Sequence, residues 1–359
     1  MNFNDNDFIY KNNNSILEIE KKGIIEKNGY PNIALIKYWG KKKNLEQIPY
    51  NSSISYMLKN IYTKTKLTYE VNKKNNNPSI KFFFCGVKNH FFYLRIKNFF
   101  EKIFIYCPYL KNFNFIIETY NNFPHSSGIG SSSSSMSSIA LCIMEIEKKI
   151  SFLTKYFFLR KASFLARLGS GSACRSIYPG LSIWGIHKLI KGSSNLYSIP
   201  YPYTVHKIFK KIENTILIID EKPKNISSSK GHELMNKHPY AKNRFKNANY
   251  NMERIISALR LGDIKEFGKI IEKESLDLHA MIMTSNPYYL LIKPNTINVI
   301  QSIWDFRIQT NNDLYFTLDA GANLHLLYPF INKKIVFKWI KDNLSFYCKK
   351  IIKSFCIWN

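Results

Sequence analysis

Apolar positions along this chain follow two rhythms, and the rhythms mark out its elements. From Ile33 to Leu58 they recur between turn-formers, as short strands around a loop at Gly40–Asn44 require. Leu67–Val71 and Ile80–Phe84 read as strands joined by a polar Lys/Asn turn. Phe113–Thr119 alternates, so that Phe113, Phe115, Ile117 and Thr119 share one face. Helical spacing marks Phe91–Ile105, Ile139–Ile150, Lys155–Leu168, Asn251–Leu261, Ile264–Asp277 and Ile335–Leu344. Leu181–Ile186, Thr215–Ile219, Leu314–Leu318 and Leu324–Tyr328 are further predicted strands. Residues 1–27 read as a poorly ordered arm, and the Ser-, Pro- and Tyr-rich stretch Gly192–Tyr203 as a linker. Two domains follow, 28–203 and 204–359. Strands followed by helices in each predict an α+β fold and not a doubly wound sheet.

Composition agrees with a packed protein. The 359 residues are 45% hydrophobic and 15% aromatic, enough for a sizeable core and unlike a disordered chain. The most apolar region, Lys81 to Phe115, is broken by Arg95, Lys97, Glu101 and Lys102, so it does not read as a membrane span. Met1 to Asn14 is polar, with neither a basic nor an apolar leader segment, which predicts a soluble cytoplasmic protein. The formal charge of +27 raises the possibility of a nucleic-acid partner. The excess Lys is scattered, however, and accompanies Asn, Ile, Phe and Tyr, residues of A- and T-rich codons. It reads as compositional drift, with neither nucleic acid nor membrane as partner. Six cysteines without a C-x-x-C pair, and eight histidines without H-E-x-x-H, predict reduced thiols and no protein-built metal cage.

Three segments carry candidate chemistry. The first is a strand followed by Pro124-His125-Ser126-Ser127-Gly128-Ile129-Gly130, a Ser run, and an apolar helix. A helix start has amides without intrahelical partners and a positive dipole end. Glycines beside it let an anion approach, so Pro124, Gly128, Gly130, Ser131, Ser132 and Ser133 form a candidate cradle for ATP phosphates. The G-K-[ST] ending of a Walker loop is missing. Taken alone, such a run also suits a flexible Ser-rich linker. The second segment, Asn32 to Lys41, puts Lys37, Trp39 and Lys41 on one face of an extended strand, where a phosphorylated substrate or plain solvent would suit them. The third, Gly169-Ser170-Gly171-Ser172-Ala173-Cys174-Arg175, offers amides, hydroxyls and a guanidinium fit for carboxylate or phosphate, or an ordinary helix end. Nothing in the sequence places a base beside Cys174, so it is not read as a nucleophile.

Together these segments resemble the GHMP kinase superfamily, and within it the diphosphomevalonate decarboxylases. Pro124, Gly128, Ile129, Ser131 and Ser132 match P-x-x-x-G-[LI]-x-S-S. Asn32 to Lys41 is similar to N-I-A-x-I-K-Y-W-G-K, Gly169 to Ser176 to G-S-G-S-A-C-R-S, and Asp319 to Asn323 to D-A-G-P-N. The resemblance spans about Tyr30 to Pro329. Departures are Ala322 for the turn's Pro, His125 for a common Thr, and Ser126–Ser127 for small Ala residues. Asn225 to Gly231 resembles the family's V-S-S-x-x-G stretch, from which only Ser228 is carried over.

The resemblance implies a two-domain GHMP-kinase-like fold: a ribosomal-protein-like N-terminal domain and a ferredoxin-like α/β sandwich. It implies ATP-dependent decarboxylation of mevalonate 5-diphosphate to isopentenyl diphosphate through a 3-phosphorylated intermediate, with ATP and Mg²⁺. Asp319, Lys37 and Arg175 are then catalytic, while Tyr38, Lys41, Ser170, Gly171, Ser172 and Ser228 bind substrate. The direct ligands of Mg²⁺ stay unspecified, and a homodimer is the implied assembly. A phosphomevalonate decarboxylase or a mevalonate 3-kinase on the same scaffold are the nearest rivals, and a basic nucleic-acid-binding protein the distant one.

Overall fold

The computed structural model describes residues 3–11, 20–42, 47–72, 78–124, 129–222 and 226–356. The first half is built from β1 (Lys22–Gly29), β2 (Asn32–Ile36), β3 (Ser53–Lys59), β4 (Thr63–Val71), β5 (Ile80–Phe84), β6 (Val87–Lys88), α1 (His90–Ile103), β7 (Phe113–Asn121), α2 (Ser131–Ile150), α3 (Lys155–Gly169), β8 (Leu181–Trp184) and β9 (Ile199–Pro200). The second contains β10 (Ile212–Ile218), α4 (Ser228–Leu234), α5 (Ala241–Leu261), α6 (Ile264–Met283), α7 (Pro294–Thr310), β11 (Tyr315–Thr317), β12 (Leu324–Pro329), α8 (Lys333–Leu344) and β13 (Lys350–Cys356). The α+β expectation holds.

One sheet runs β1-β4-β7-β5-β6. Its long strands alternate as the sequence pattern requires: in β7 Phe113, Phe115 and Ile117 are buried while Ile116 and Glu118 face out. The other sheet runs β11-β12-β10-β13-β3-β8-β9, with β2 also paired to β3. It is continuous through both halves, because Phe355 and Cys356 of β13 pair with Lys59 and Leu58 of β3. In the second half, Leu217, Leu324 and Leu326 face a core with Val299, Ile303, Val336 and Ile340 from α7 and α8. The opposite face, with Ile216, Ile218 and Leu327, joins the main core alongside α5 and α6. Period-two burial on both faces of these strands makes them the middle layer of a sandwich.

Several expectations need correction. The N-terminal arm is not loose throughout. Asp5–Phe8 is a 3₁₀ turn closed by a capping box, Phe8 is fully buried against Phe164 at 4.5 Å between ring centroids, and β1 already begins at Lys22. Four phenylalanine and tyrosine rings around Phe3 and Phe8 anchor this segment. The stretch Gly192–Tyr203 is not a free linker either: Tyr197, Ser198 and Ile199 are buried, and Arg160 donates to the Ser198 carbonyl. Helix α5 starts ten residues ahead of Asn251, and α4, α7 and β13 were not anticipated.

The Ser run lies inside α2 and does not precede it. Ser133, Ser134, Ser137 and Ser138 return their hydroxyls to carbonyls three residues back. Ser134 and Ser138 also meet Thr63 and Thr65 of β4 at 2.6 and 2.5 Å. Small side chains let the helix lie very close to the sheet: a Cβ on Gly29 would stand 1.9 Å from the Ser134 carbonyl oxygen.

Candidate active site

β2 ends where the two halves meet, and Lys37 is the next residue. Its side chain is only 1% exposed, and its Nζ donates to Asp319 Oδ1 at 2.9 Å. Asp319 follows β11, and its side chain keeps 32% exposure, so one carboxylate edge opens outward while the other is fixed by the lysine. Burial pulls the Lys37 ammonium below the usual lysine range, while Asp319 and, more weakly, Glu274 oppose that pull.

The backbone of Lys37 is fixed as firmly as its side chain. Its N–H donates to Glu274 Oε2 at 2.9 Å, and its carbonyl accepts from Asn51 Nδ2 at 3.1 Å. Glu274 is wholly buried on α6 and accepts two bonds from Arg244 of α5, at 3.1 and 2.6 Å, and one from Asn251 at 2.8 Å. A buried carboxylate stands only when its oxygens are filled, and here four donors fill them. The turn after Asp319 is tied despite Ala322. The Ala322 carbonyl accepts from Thr296 Oγ1, and Asn323 Oδ1 accepts the N–H groups of Ile219 and Asp220 at 2.6 and 2.9 Å. His279 Nε2 lies 3.2 Å from the Asp319 carbonyl oxygen.

Arg175, at 2% exposure, comes from the 3₁₀ segment Gly171–Ser176 that follows α3. Its guanidinium donates to Ser53 Oγ at 2.5 Å, Ser55 Oγ at 3.0 Å and Asn32 Oδ1 at 3.4 Å. These partners are neutral. Burial lowers its pKa, and Asp319 lies near enough to oppose that fall. A buried guanidinium whose hydrogen bonds go only to neutral groups, with Asp319 nearby as counter-charge, is fit to receive an anion. Tyr38 packs edge-on to Trp184 at 4.6 Å and against Gly171, where a Cβ would stand 3.0 Å from its ring. Ser170 and Ser172 flank that glycine half-buried, and the Ser172 carbonyl accepts from Asn32. Lys41 forms an isolated antiparallel bridge with Pro49. The structure thus brings Lys37, Tyr38, Arg175, Gly171 and Asp319 together. Ser228 is exposed at the start of α4, and that helix reaches the cluster through Gly231 and His232 instead. Cys174 is buried and its thiol pushed up to about 12, so it stays a thiol.

The candidate phosphate cradle is described only in part. Gly128, with His125, Ser126 and Ser127, falls outside the described residues. Pro124 is half-buried after β7. Gly130 takes the left-handed conformation (φ 83°) at the N-cap of α2, and no side chain caps that helix. Ser131 and Ser132 line a small, half-open cleft with Phe82, Phe84, Phe92 and Arg95. Arg95 donates to Ser132 Oγ at 2.9 Å and has no carboxylate partner among the described residues. Ser133 turns away, its hydroxyl bonded to the Gly130 carbonyl at 2.7 Å. An uncapped helix start, an arginine and aromatic walls suit a nucleotide's phosphates and base.

Comparison with known proteins decides the family. Residues 29–195 match the diphosphomevalonate decarboxylase-like N-terminal domain, and residues 214–356 the mevalonate 5-diphosphate decarboxylase C-terminal domain. The chain belongs to the diphosphomevalonate decarboxylase family. A diphosphomevalonate decarboxylase of Danio rerio is 26% identical over 306 residues, 81% of this chain and 72% of that protein. The crystal structure of the mevalonate diphosphate decarboxylase of Staphylococcus aureus is similar with a TM-score of 0.80, at 26% identity over 95% of this chain and 97% of that one. A solved structure of MDDEF in complex with MVAPP, AMPPCP and magnesium gives a TM-score of 0.79 at 24% identity, over 94% of this chain and 97% of that one. Family patterns account for Lys37, Arg175 and Asp319. They gave no notice of Glu274, Arg244, Arg95 or His232. Arg244 and Glu274 are 30 residues apart in sequence and meet only because α5 and α6 pack side by side.

Proposed function

We propose that this chain catalyses the ATP-dependent decarboxylation of mevalonate 5-diphosphate to isopentenyl diphosphate, releasing ADP, phosphate and CO₂. The observation that carries the reading is the Lys37–Asp319 pair, its lysine buried and its carboxylate partly open, with the buried Arg175 guanidinium held nearby by neutral partners. Family membership supports the reaction, and a solved relative in complex with MVAPP, AMPPCP and magnesium supports its substrates.

In this reading Asp319 aligns the 3-hydroxyl for transfer of the γ-phosphoryl group and takes up its proton, with Lys37 holding the carboxylate in register. Arg175 grips the substrate carboxylate while the C–O bond to the new phosphate breaks. That grip weakens as the carboxylate's electron pair moves into the new double bond and CO₂ departs. Tyr38, Lys41, Ser170, Gly171 and Ser172 surround the 5-diphosphate, and Ser228, exposed at the start of α4, is left out of that set. The start of α2, with Gly130, Ser131 and Ser132, receives the ATP phosphates. No cluster of three or more metal-ligating side chains occurs among the described residues, which suits a magnesium ion carried in by the nucleotide. Ser131, the first residue of α2, would offer its hydroxyl to such an ion. When bound, the ion neutralises the phosphate oxygens as charge builds on them.

No helix among the described residues is long and apolar enough to cross a membrane. A cytoplasmic homodimer completes the proposal, and light scattering on the purified protein tests the assembly. The reaction is tested by supplying ATP and Mg²⁺ with mevalonate, its 5-phosphate or its 5-diphosphate, and following ADP and CO₂. Both products with the diphosphate alone support the proposal. ADP without CO₂ makes the chain a kinase, and preference for the monophosphate makes it a phosphomevalonate decarboxylase.

A further inference from the structure

His232 sits on α4, in the middle of the cluster, and no motif called attention to it. The residue is 9% exposed and its ring lies between two others: Tyr38 at 4.2 Å and 32°, and Trp39 at 4.6 Å and 38°. Its Nδ1 accepts the Gly40 backbone N–H at 2.8 Å. A backbone N–H can only donate, so Nδ1 is the bare nitrogen and the ring's proton resides on Nε2. That N–H has no partner among the described residues and is not sealed from solvent. Gly231 is what lets α4 come this near, since a Cβ there would stand 2.5 Å from the Trp39 ring.

The ring stays neutral. Burial first, then the nearby charges of Lys41 and Arg175, pull its pKa down to about 3. A third cation beside Lys41 and Arg175 would repel them. A neutral imidazole adds a donor without adding charge, and the two flanking rings with the Gly40 bond fix its direction.

We propose that His232 is a ligand of the substrate's phosphate tail, its Nε2–H donating to a phosphoryl oxygen. This rests on reading the Tyr38–Lys41–Arg175 cluster as the pocket of a phosphorylated substrate. His232 sets specificity for a phosphate-bearing substrate and takes no part in the bond-breaking steps.

Two variants test it. His232→Phe keeps the stacked ring and loses both nitrogens; His232→Gln restores an oxygen for the Gly40 N–H and an N–H facing the cleft. Steady-state kinetics give KM for mevalonate diphosphate and for ATP, and calorimetry gives Kd for inorganic pyrophosphate. For His232→Phe, both the substrate KM and the pyrophosphate Kd should rise about 10-fold or more, as expected for a lost bond to a charged group. KM for ATP should change less than about 2-fold, and His232→Gln should recover most of the affinity. Unchanged pyrophosphate binding in His232→Phe overturns the inference. So does equal loss for ATP and substrate in both variants, which marks His232 as mere support for the loop at Gly40. A wild-type protein that neither turns over nor binds pyrophosphate overturns the functional reading and this inference with it. Turnover by the wild type with an indifferent His232→Phe overturns this inference alone.

Discussion

Lys37 and Asp319 stand 282 positions apart in the chain, yet the lysine Nζ meets the carboxylate at 2.9 Å. Each comes from a different half of the molecule. The pair therefore exists only when the two halves are docked, and whatever fixes their interface fixes the chemistry proposed for it.

Asp319→Asn removes the charge that Lys37 faces and the acceptor proposed for the hydroxyl proton. Turnover should fall at least ~10²-fold, with the far-UV spectrum unchanged. Near-normal kcat in this variant removes Asp319 from the mechanism.

Arg175→Lys keeps a positive charge but loses the planar fork that three neutral partners now orient. The expected result is a drop of ~10²-fold or more in kcat/KM for the decarboxylation substrate. Equal kinetics in the two proteins rules out a carboxylate grip.

Gly130→Ala places a side chain on a residue with φ of 83°, where the new Cβ would lie 3.0 Å from Pro31 and 3.1 Å from the Ser133 hydroxyl. The left-handed backbone alone disfavours alanine by about 1 kcal/mol. The start of α2 should shift, raising KM for ATP several-fold and leaving the phosphorylated substrate's KM nearly unchanged. Should the substrate's KM alone respond, α2 does not receive the nucleotide.

Glu274→Gln leaves the Arg244 guanidinium buried without its counter-charge. Breaking such a pair costs about 3–5 kcal/mol, readable as a lower urea midpoint. Because Glu274 also holds the Lys37 N–H, kcat should fall too, in native protein measured well below that midpoint. Lost stability with full kcat would make the pair a structural clasp only.

His325 is buried on β12, with Nδ1 3.3 Å from Asn214 Oδ1 and its Nε2 unpartnered. Burial holds its pKa at about 4, against 6.5 in an unfolded chain, with Asp319 and Lys37 pulling in opposite directions. Between these values the unfolded state binds the extra proton, so stability falls as pH drops through 6.5 and this loss ends near pH 4. In His325→Leu, the decrease in unfolding free energy from pH 7 to 4.5 should shrink by about 2–3 kcal/mol, at about 1.4 kcal/mol per unit. Urea titrations at the two pH values measure it, and identical decreases would place the acid sensitivity elsewhere.

Much of the first half was legible because its strands and helices carry strong local periodicity. Ile80–Phe84 needed only its alternation and a turn. The Ser run misled because serine competes with the backbone in isolation, and only the nearby Thr63 and Thr65 make it a helix face. The early part of α5 was hidden by Asn and Lys, although Ala241, Ala248 and Met252 supply the buried stripe. In the site, the residues proposed to touch reactants are legible as motifs. Those that hold them, such as Glu274 behind Lys37, depend on helix packing that no local spacing reveals.

The pairing of β13 with β3 has a consequence for how the molecule is made. Residues 53–59 leave the ribosome some three hundred positions ahead of Phe355 and Cys356, which complete their sheet. Until then the β3 edge toward β13, where Leu58 pairs with Cys356, is an open template, and β10 lacks the neighbour that joins it to the first half. Lys37 is therefore synthesised early, while its partner Asp319 and the closing strand β13 follow late. A nascent chain has a long interval in which to be bound by a chaperone or to aggregate.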